Sequence, residues 1–323
     1  MRNASKIMVL LLVAALLCGC GNTPAETPTE APTAASTAAP TTEPQPTEPK
    51  YPYDYTKTDF FQVENCLNYA PMAKLVGVQS GAPFDFKKTE DGYTVAQGAA
   101  TDGTYGYFAL CNPNANIDGE YIEAARIVKV DLATWEIVKT GEPIRTCHSN
   151  GMTYNSKTNK LLVVHNKPEF QNISIVDPET LQVEEVVTID RAIQSIGYSA
   201  ERDQYVVRMS GNWNFAVLDA DFNEVAYIET GVTTPLGSQC MTCDDDYIYM
   251  LDSGVTKMPG YECFTVYDWS GKYLGVYRLP SMQESEALLI VGDTYYVTFF
   301  NGSGGRLYEL QFDASRLGNY QPN

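Results

Sequence analysis

The sequence predicts an all-β fold, a five-bladed β-propeller of four-stranded antiparallel blades closed by an N-terminal strand. Three observations support this prediction. Runs of β-branched and aromatic residues alternate with turn residues across 74–312. One strand pattern recurs every 40 to 50 residues, and its last copy stops after the third strand. These features together indicate a ring of similar sheets that takes its final strand from elsewhere in the chain.

The clearest repeat unit covers 150–189. It contains four runs with strand character, which are 151–155, 160–165, 172–176 and 183–189. Turn sequences separate them, for example Ser156-Lys157-Thr158-Asn159 after the first run. The pattern is typical of antiparallel strands that follow one another in sequence.

The third strand of each unit ends in a similar way, with an apolar run followed in four units by an aspartate. The closing residues lie 46, 42, 49 and 43 residues apart and are Asp131, Asp177, Asp219, Asp268 and Gln311. Four short strands with three turns occupy this length, which is also the length of a propeller blade. An aspartate carboxylate can accept hydrogen bonds from backbone N–H groups two residues on, so we interpret these aspartates as turn residues.

The fifth unit lacks a fourth strand, because 313–323 contains no apolar run. A strand candidate at 74–79 precedes the first complete unit. We expect it to pair with 307–312, which would close the ring and leave no open sheet edge. An open β-sandwich, the alternative fold, would not explain the regular spacing.

The N-terminal residues predict an export signal. Arg2 and Lys6 precede an apolar run at 7–17 that is too short to span ~30 Å of hydrocarbon. Leu17-Cys18-Gly19-Cys20 resembles the bacterial lipobox. That resemblance implies diacylation of Cys20, with diacylglyceryl and palmitate-type chains, and removal of 1–19. The alternative is an ordinary secretory signal with an incidental cysteine.

Composition divides the rest of the chain. We expect a lipidated cysteine and disordered Pro/Thr/Glu tether at 20–50, an N-terminal segment packed on the ring at 51–73, the propeller at 74–312 and a tail at 313–323. The net charge of −18 becomes more negative when the two basic signal residues are removed. This charge argues against nucleic acid and against direct docking on anionic headgroups. The expected product is a monomeric lipoprotein held outside the cell membrane.

The segment His148-Ser149-Asn150-Gly151-Met152-Thr153-Tyr154-Asn155 resembles blade starts in helveticin-type and gluconolactonase-like propeller proteins. The resemblance covers eight residues and implies the architecture, with no catalytic residue carried over.

In a propeller the innermost strands line a central channel, and the loops that enter these strands form its mouth, which we call the funnel mouth. Aligning the blades on their first turns predicts a binding site there. The alignment places four amides and one carboxylate at equivalent points of the inner strands, and these are Gln97, Asn150, Gln194, Gln239 and Glu286. His148 lies close to Asn150 in sequence and is included in the predicted site. Amides both donate and accept hydrogen bonds, so this ring suits the hydroxyl or amide groups of a glycan or a protein. The alternative is that the ring side chains bond only to each other and to water.

The sequence favours a non-catalytic binding protein. A hydrolase or lactonase that uses Glu286 and His148, and an envelope scaffold with acidic faces, are the alternatives. Paired carboxylates would be needed on both sides of a glycosidic bond, but acidic candidates occur in one blade only, at Glu284 and Glu286. For a metal-dependent lactonase-like site, the available set is His148, Asn150 and Glu286.

No cofactor and no metal site are expected. Cys240 and Cys243 lie three residues apart on a strand, which directs their side chains to opposite faces. The pairing of the six domain cysteines is left open, at Cys66, Cys111, Cys147, Cys240, Cys243 and Cys263. Trp213 is the candidate for stacking on a sugar, and core packing is its alternative role.

Overall fold

The computed structural model describes residues 70–318, except 231 and 233. It is an all-β propeller, and the described residues contain no α-helix. The fold class is therefore confirmed. The signal, Cys20, the tether and most of 51–73 lie outside the described residues, so those expectations are not tested.

Four blades are formed by consecutive strands that pair antiparallel. Blade 1 contains β3 (Val95–Thr101), β4 (Tyr105–Ile117), β5 (Glu120–Asp131) and β6 (Glu136–Ile144). Blade 2 contains β7 (Gly151–Asn155), β8 (Lys160–Val164), β9 (Asn172–Val176) and β10 (Val183–Thr188). Blade 3 contains β11 (Ile193–Ser199), β12 (Gln204–Met209), β13 (Phe215–Leu218) and β14 (Glu224–Ile228). Blade 4 contains β15 (Gly237–Cys243), β16 (Tyr247–Ser253), β17 (Glu262–Asp268) and β18 (Tyr273–Leu279).

The fifth blade closes the ring as the sequence predicts. Its own strands are β19 (Glu284–Val291), β20 (Thr294–Phe300) and β21 (Gly304–Gln311). The outer edge of β21 is covered by β1 (Lys74–Gly77), in which Leu75 pairs with Leu310. A second strand, β2 (Phe84–Lys87), pairs with the other half of β21 and was not predicted. Two short N-terminal strands therefore protect an edge that would otherwise be exposed to other chains.

The predicted turn role of the aspartates is confirmed. Asp131 Oδ1 accepts hydrogen bonds from the backbone N–H groups of Ala133 and Thr134, at 2.8 and 2.9 Å. Asp177 makes the equivalent contacts with Glu179 and Thr180. The backbone hydrogen bond from Thr134 is the main cause that lowers the pKa of Asp131. These carboxylates initiate turns at the end of the ring opposite the predicted mouth.

The hydrophobic core lies between neighbouring blades. Leu162 and Val164 of blade 2, for example, belong to the same buried cluster as Ile196 and Val207 of blade 3. The innermost strands contact one another in a closed cycle, with β19 against β3. At Gly151 the approach is so close that a Cβ atom would lie 2.4 Å from Ser195 Cα. Glycine is needed there because any side chain would push the two inner strands apart.

Both ends of the described chain contact blade 4. Ala73 N donates to Arg278 O, and Arg278 N donates to Pro71 O. Near the C-terminus, a single 3-10 turn at Ala314–Arg316 follows β21, and Gly318 N donates to Leu274 O. No helix among these described residues is long and apolar enough to cross a bilayer.

Candidate functional site at the funnel mouth

The first residues of the inner strands meet at one end of the channel. There they surround a cavity of about 480 Å³, which we call the funnel-mouth cavity. Its lining residues are Thr94, Val95, Gln97, Cys111, Pro113, His148, Asn150, Asn166, Ser238, Gln239, Glu284, Glu286 and Phe300. Five of the six predicted mouth residues are among them, and these are Gln97, His148, Asn150, Gln239 and Glu286. The volume is within the range of small-ligand pockets.

β-Bulges place the polar side chains in the mouth. In four of the inner strands the pairing with the second strand shifts at the same point of the blade. The residues at these shifts include Gln97, Gln194, Gln239 and Glu286. A bulge inserts an extra residue and changes the direction of its side chain. Strand alternation alone therefore does not determine which residues face the channel.

The N–H groups at the bulges donate to side chains of the preceding blade or of the same blade. Met241 N donates to Ser195 Oγ of the preceding blade at 2.7 Å, and Leu288 N donates to Cys240 Sγ at 3.0 Å. Within blade 5, Ala287 N donates to Thr298 Oγ1 at 3.0 Å. Buried backbone donors need such partners, so these small side chains maintain the irregular backbone around the mouth. We call the predicted ring of amides and one carboxylate the collar, and it consists of Gln97, Asn150, Gln194, Gln239 and Glu286.

Glu286 is the most distinctive residue of the cavity. Its side chain is almost fully buried, with the residue 2% exposed. Burial, followed by the charges of Glu284 and Glu262, raises its pKa well above the ordinary value, and a hydrogen bond with Gln97 opposes the rise. Glu286 Oε2 and Gln97 Oε1 have no hydrogen-bond partner among the described residues. This part of the cavity therefore presents a carboxyl group whose raised pKa favours protonation, and an amide oxygen, and both can bond to a ligand.

The remaining collar residues are partly occupied by their neighbours. Gln239 Nε2 donates to Glu284 Oε1 at 2.9 Å, and Asn166 Nδ2 donates to Asn150 Oδ1 at 2.5 Å. Gln194 is not part of the cavity lining, because its amide donates to Ser238 O and accepts from Ser238 Oγ. The proposed role of Gln194 in binding thus stays a prediction.

His148 lies at the edge of the cavity beside two residues that the sequence did not identify. His148 Nδ1 is 2.5 Å from Glu123 Oε1 and 3.7 Å from Cys111 Sγ. Burial and then the Glu123 carboxylate raise the pKa of the Cys111 thiol, so this cysteine is not an activated nucleophile. A second group of similar composition lies nearby, formed by Cys147, His165 and Glu169.

Trp213 lies outside the funnel-mouth cavity. Its indole Nε1 donates to Asp252 Oδ1 at 2.9 Å, and the Arg208 guanidinium is 5.4 Å from its ring centroid. These contacts provide a packing role, whereas stacking on a sugar stays an untested prediction. The five cysteines of the described region are free thiols, at Cys111, Cys147, Cys240, Cys243 and Cys263.

Comparison with known proteins supports the architecture. No protein-family model and no curated protein sequence match the chain. Among solved structures, the glutaminyl cyclase of Myxococcus xanthus matches with a TM-score of 0.52 and 12% identity, over 75% of this chain and 97% of the cyclase. The hydrazine synthase of Kuenenia stuttgartiensis matches with a TM-score of 0.39 and 17% identity, over 66% of this chain and 57% of the synthase. The likeness to the cyclase is one of fold alone.

Proposed function

We propose that this protein is a surface-tethered binding protein that holds a glycan or a polypeptide partner in the funnel-mouth cavity. The observation that supports the proposal most strongly is the pair of partnerless buried atoms, Glu286 Oε2 and Gln97 Oε1. A buried polar atom without a hydrogen bond costs about 1–3 kcal/mol. A ligand that supplies the missing hydrogen bonds would recover part of that free energy.

The chemistry of the cavity favours hydroxyl and amide groups as ligands. The Glu286 carboxyl can donate one hydrogen bond when it is protonated, and the amide of Gln97 can both donate and accept. Phe300 and Pro113 add apolar surface to the lining. This mixture of convergent polar groups with some apolar surface is typical of pockets that bind uncharged polar ligands.

Binding can be tested with a glycan array and a peptide array, followed by calorimetry on any hit. We expect Gln97→Ala and Asn150→Ala to weaken binding by about tenfold each, equivalent to ~1.4 kcal/mol for one hydrogen-bonding group. Gln182→Ala is the matched control, since Gln182 is exposed in a turn after β9. Unchanged binding in both mouth variants would exclude this cavity as the binding site.

The second part of the proposal concerns location. The lipobox-like sequence and the tether support attachment of the propeller to the outer face of the membrane through diacylated Cys20. Cells fed an alkyne-bearing fatty acid should label the wild-type protein. Cys20→Ser should abolish the label and prevent stable attachment, and an equally labelled, equally attached variant would contradict the lipid anchor.

An enzymatic function is the second candidate, and one observation favours it. Glu284 and Glu286 both line the cavity, but their surroundings differ. Glu284 accepts a hydrogen bond from Gln239, whereas Glu286 is buried and its pKa is raised. Two such carboxyl groups can divide the roles of base and acid. Since one structural neighbour is a glutaminyl cyclase, glutaminyl peptides should be tested together with lactones and polysaccharides. Turnover that Glu286→Gln abolishes would favour this function over simple binding.

A further inference from the structure

We propose that Cys111, Glu123 and His148 form a zinc-binding site at the edge of the funnel-mouth cavity, with one coordination position open to the cavity. One ligand atom from each residue lies within 4.8 Å of the other two. The proposal is independent of the function proposed above, because metal binding can be measured without any organic ligand.

The site depends on a feature that only blade 1 has. Its strands β4 and β5 are 13 and 12 residues long, whereas the second and third strands of the other blades have four to eight. Cys111 ends the part of β4 that pairs with β3, and Glu123 lies on β5 where the extension begins. Pairing shifts between Asn112 and Ala115, so Glu123 has no direct partner in the ladder. The extended hairpin thus brings two ligands to the mouth.

The third ligand comes from the loop that enters blade 2. His148 lies between Cys147 and Ser149, which both have a positive φ, at 52° and 55°. Ser149 is fully buried, and its Oγ donates to Thr146 Oγ1 at 2.7 Å. This anchoring fixes the backbone beside His148, whereas the imidazole itself is 36% exposed and can still adjust.

The distances between the ligand atoms suit a tetrahedral ion. Zinc bonds of ~2.3 Å to sulfur and ~2.0–2.2 Å to nitrogen or oxygen place ligand atoms about 3.3–3.6 Å apart. Cys111 Sγ is 3.6 Å from Glu123 Oε1 and 3.7 Å from His148 Nδ1. The remaining two ligand atoms, His148 Nδ1 and Glu123 Oε1, are 2.5 Å apart. To bind zinc they would have to move apart by slightly less than ~1 Å. Both of those side chains are about one-third exposed, so this movement does not require repacking of the core.

The ligand types select the metal. A thiolate with an imidazole and a carboxylate suits zinc, whereas magnesium and calcium prefer sites made of oxygen ligands. Cys111 and His148 both line the funnel-mouth cavity, so the fourth position faces the space where a ligand would bind. Three protein ligands with an open position are typical of zinc that contacts water or a ligand. On binding, the thiol proton of Cys111 is released to solvent as the zinc–sulfur bond forms.

The neighbouring group of Cys147, His165 and Glu169 provides a comparison within the same molecule. There the imidazole already bonds through both nitrogen atoms, Nδ1 with Glu169 at 2.7 Å and Nε2 with Ser174 Oγ at 2.8 Å. None of these three residues lines the cavity. His165 is also only 2% exposed, so its imidazole has little room to move toward a metal ion, and we assign the site to Cys111, Glu123 and His148.

The experiment uses the full-length chain, purified in detergent, stripped with a chelator and titrated with Zn²⁺ and then with Co²⁺. We expect one equivalent of tightly bound metal and, with cobalt, the near-ultraviolet absorption of a thiolate ligand. Replacing a residue that only hydrogen-bonds to a zinc ligand lowers metal affinity by ~10–100-fold. Replacing a ligand itself, in Cys111→Ser or His148→Ala, should therefore lower the affinity at least as much. Glu123→Gln should weaken binding while preserving the size of the side chain.

Cys147→Ser is the matched control and should retain the affinity and the cobalt absorption. Circular dichroism of the metal-free variants separates loss of a ligand from loss of the fold, and the partly exposed His148 provides a variant outside the hydrophobic core. The proposal is overturned if wild type binds no better than His148→Ala. It is equally overturned if the metal is lost in Cys147→Ser and kept in Cys111→Ser.

Discussion

Glu262 and Glu286 are two buried glutamates at neighbouring positions of the ring, and their surroundings differ in one respect. Both side chains are almost completely buried, and burial raises the pKa of each. Glu262 accepts four hydrogen bonds, from Ser253 Oγ and Gly254 N on one oxygen and from Ser285 N and Ser285 Oγ on the other. Glu286 has one oxygen without any partner among the described residues.

The difference separates a structural carboxyl group from a candidate functional one. Glu262 connects blade 4 to the first strand of blade 5, and its four donors fully satisfy both of its oxygens. Glu286 is directed by a β-bulge into a cavity, where its hydrogen-bonding capacity remains available. Burial and a raised pKa alone would not distinguish the two residues, whereas the partners of each oxygen atom do.

The largest effect is expected for Glu262→Gln. Each oxygen of Glu262 faces a backbone N–H group, so the amide nitrogen of glutamine must face a donor in either orientation. We expect a loss of about 1–3 kcal/mol in the free energy of unfolding, measured by urea denaturation. Glu136→Gln on the exposed strand β6 is the control and should change stability little. A Glu262→Gln protein as stable as wild type would contradict the structural role.

An opposite effect is expected for Glu286→Gln. The folded-state pKa of Glu286 is raised, so its contribution to stability is complete below the unfolded pKa and is lost as the pH rises toward the folded pKa. Glutamine does not ionise, so the variant should match wild type near pH 4 and exceed its stability near pH 8. Urea denaturation at a series of pH values measures this difference. If the difference between the two proteins does not vary with pH, Glu286 does not titrate as inferred.

The smallest effect is expected for Gln97→Leu. The hydrogen bond from Gln97 lowers the pKa of Glu286, so its removal should raise that pKa further. Stability begins to fall at the pKa of Glu286 in the unfolded state, which the substitution should not change. The fall ends at the pKa of Glu286 in the folded state, which should shift to higher pH. Carbon-13 NMR of the labelled Glu286 carboxyl measures the shift directly. A shift to lower pH would show that Gln97 does not stabilise the ionised form.

The positions of the predicted collar residues were accessible from the sequence because the repeat fixes equivalent points in each blade. Gln97, Asn150, Gln239 and Glu286 were identified in this way, and all four line one cavity. Gln194 occupies the equivalent position but bonds to Ser238 instead. The alignment of repeats therefore locates a residue, whereas its local partners decide whether the side chain is available.

The sequence missed Cys111 and Glu123 as possible partners of His148. Cys111 ends the part of β4 that pairs with β3, whereas Glu123 lies in the extended hairpin of blade 1, which has no counterpart in the other blades. Nothing in their spacing indicates that they meet His148, because His148 lies in the loop that enters the next blade. Strand β2 was missed for a related reason, since a strand of four residues acquires its position only by pairing with β21.

The sequence by itself determined the number of blades, the closing strand and the turns that begin with aspartate. Local apolar runs and turn residues recur at a regular interval and indicate the strands and turns, and the missing fourth strand of the last unit indicates that an N-terminal strand closes the ring. The tertiary structure alone decided which polar side chains enter the cavity, which carboxyl group lacks a partner, and which cysteine lies beside a histidine. Those properties depend on β-bulges and on contacts between blades, where residues distant in sequence compete for the same hydrogen bonds and the same space.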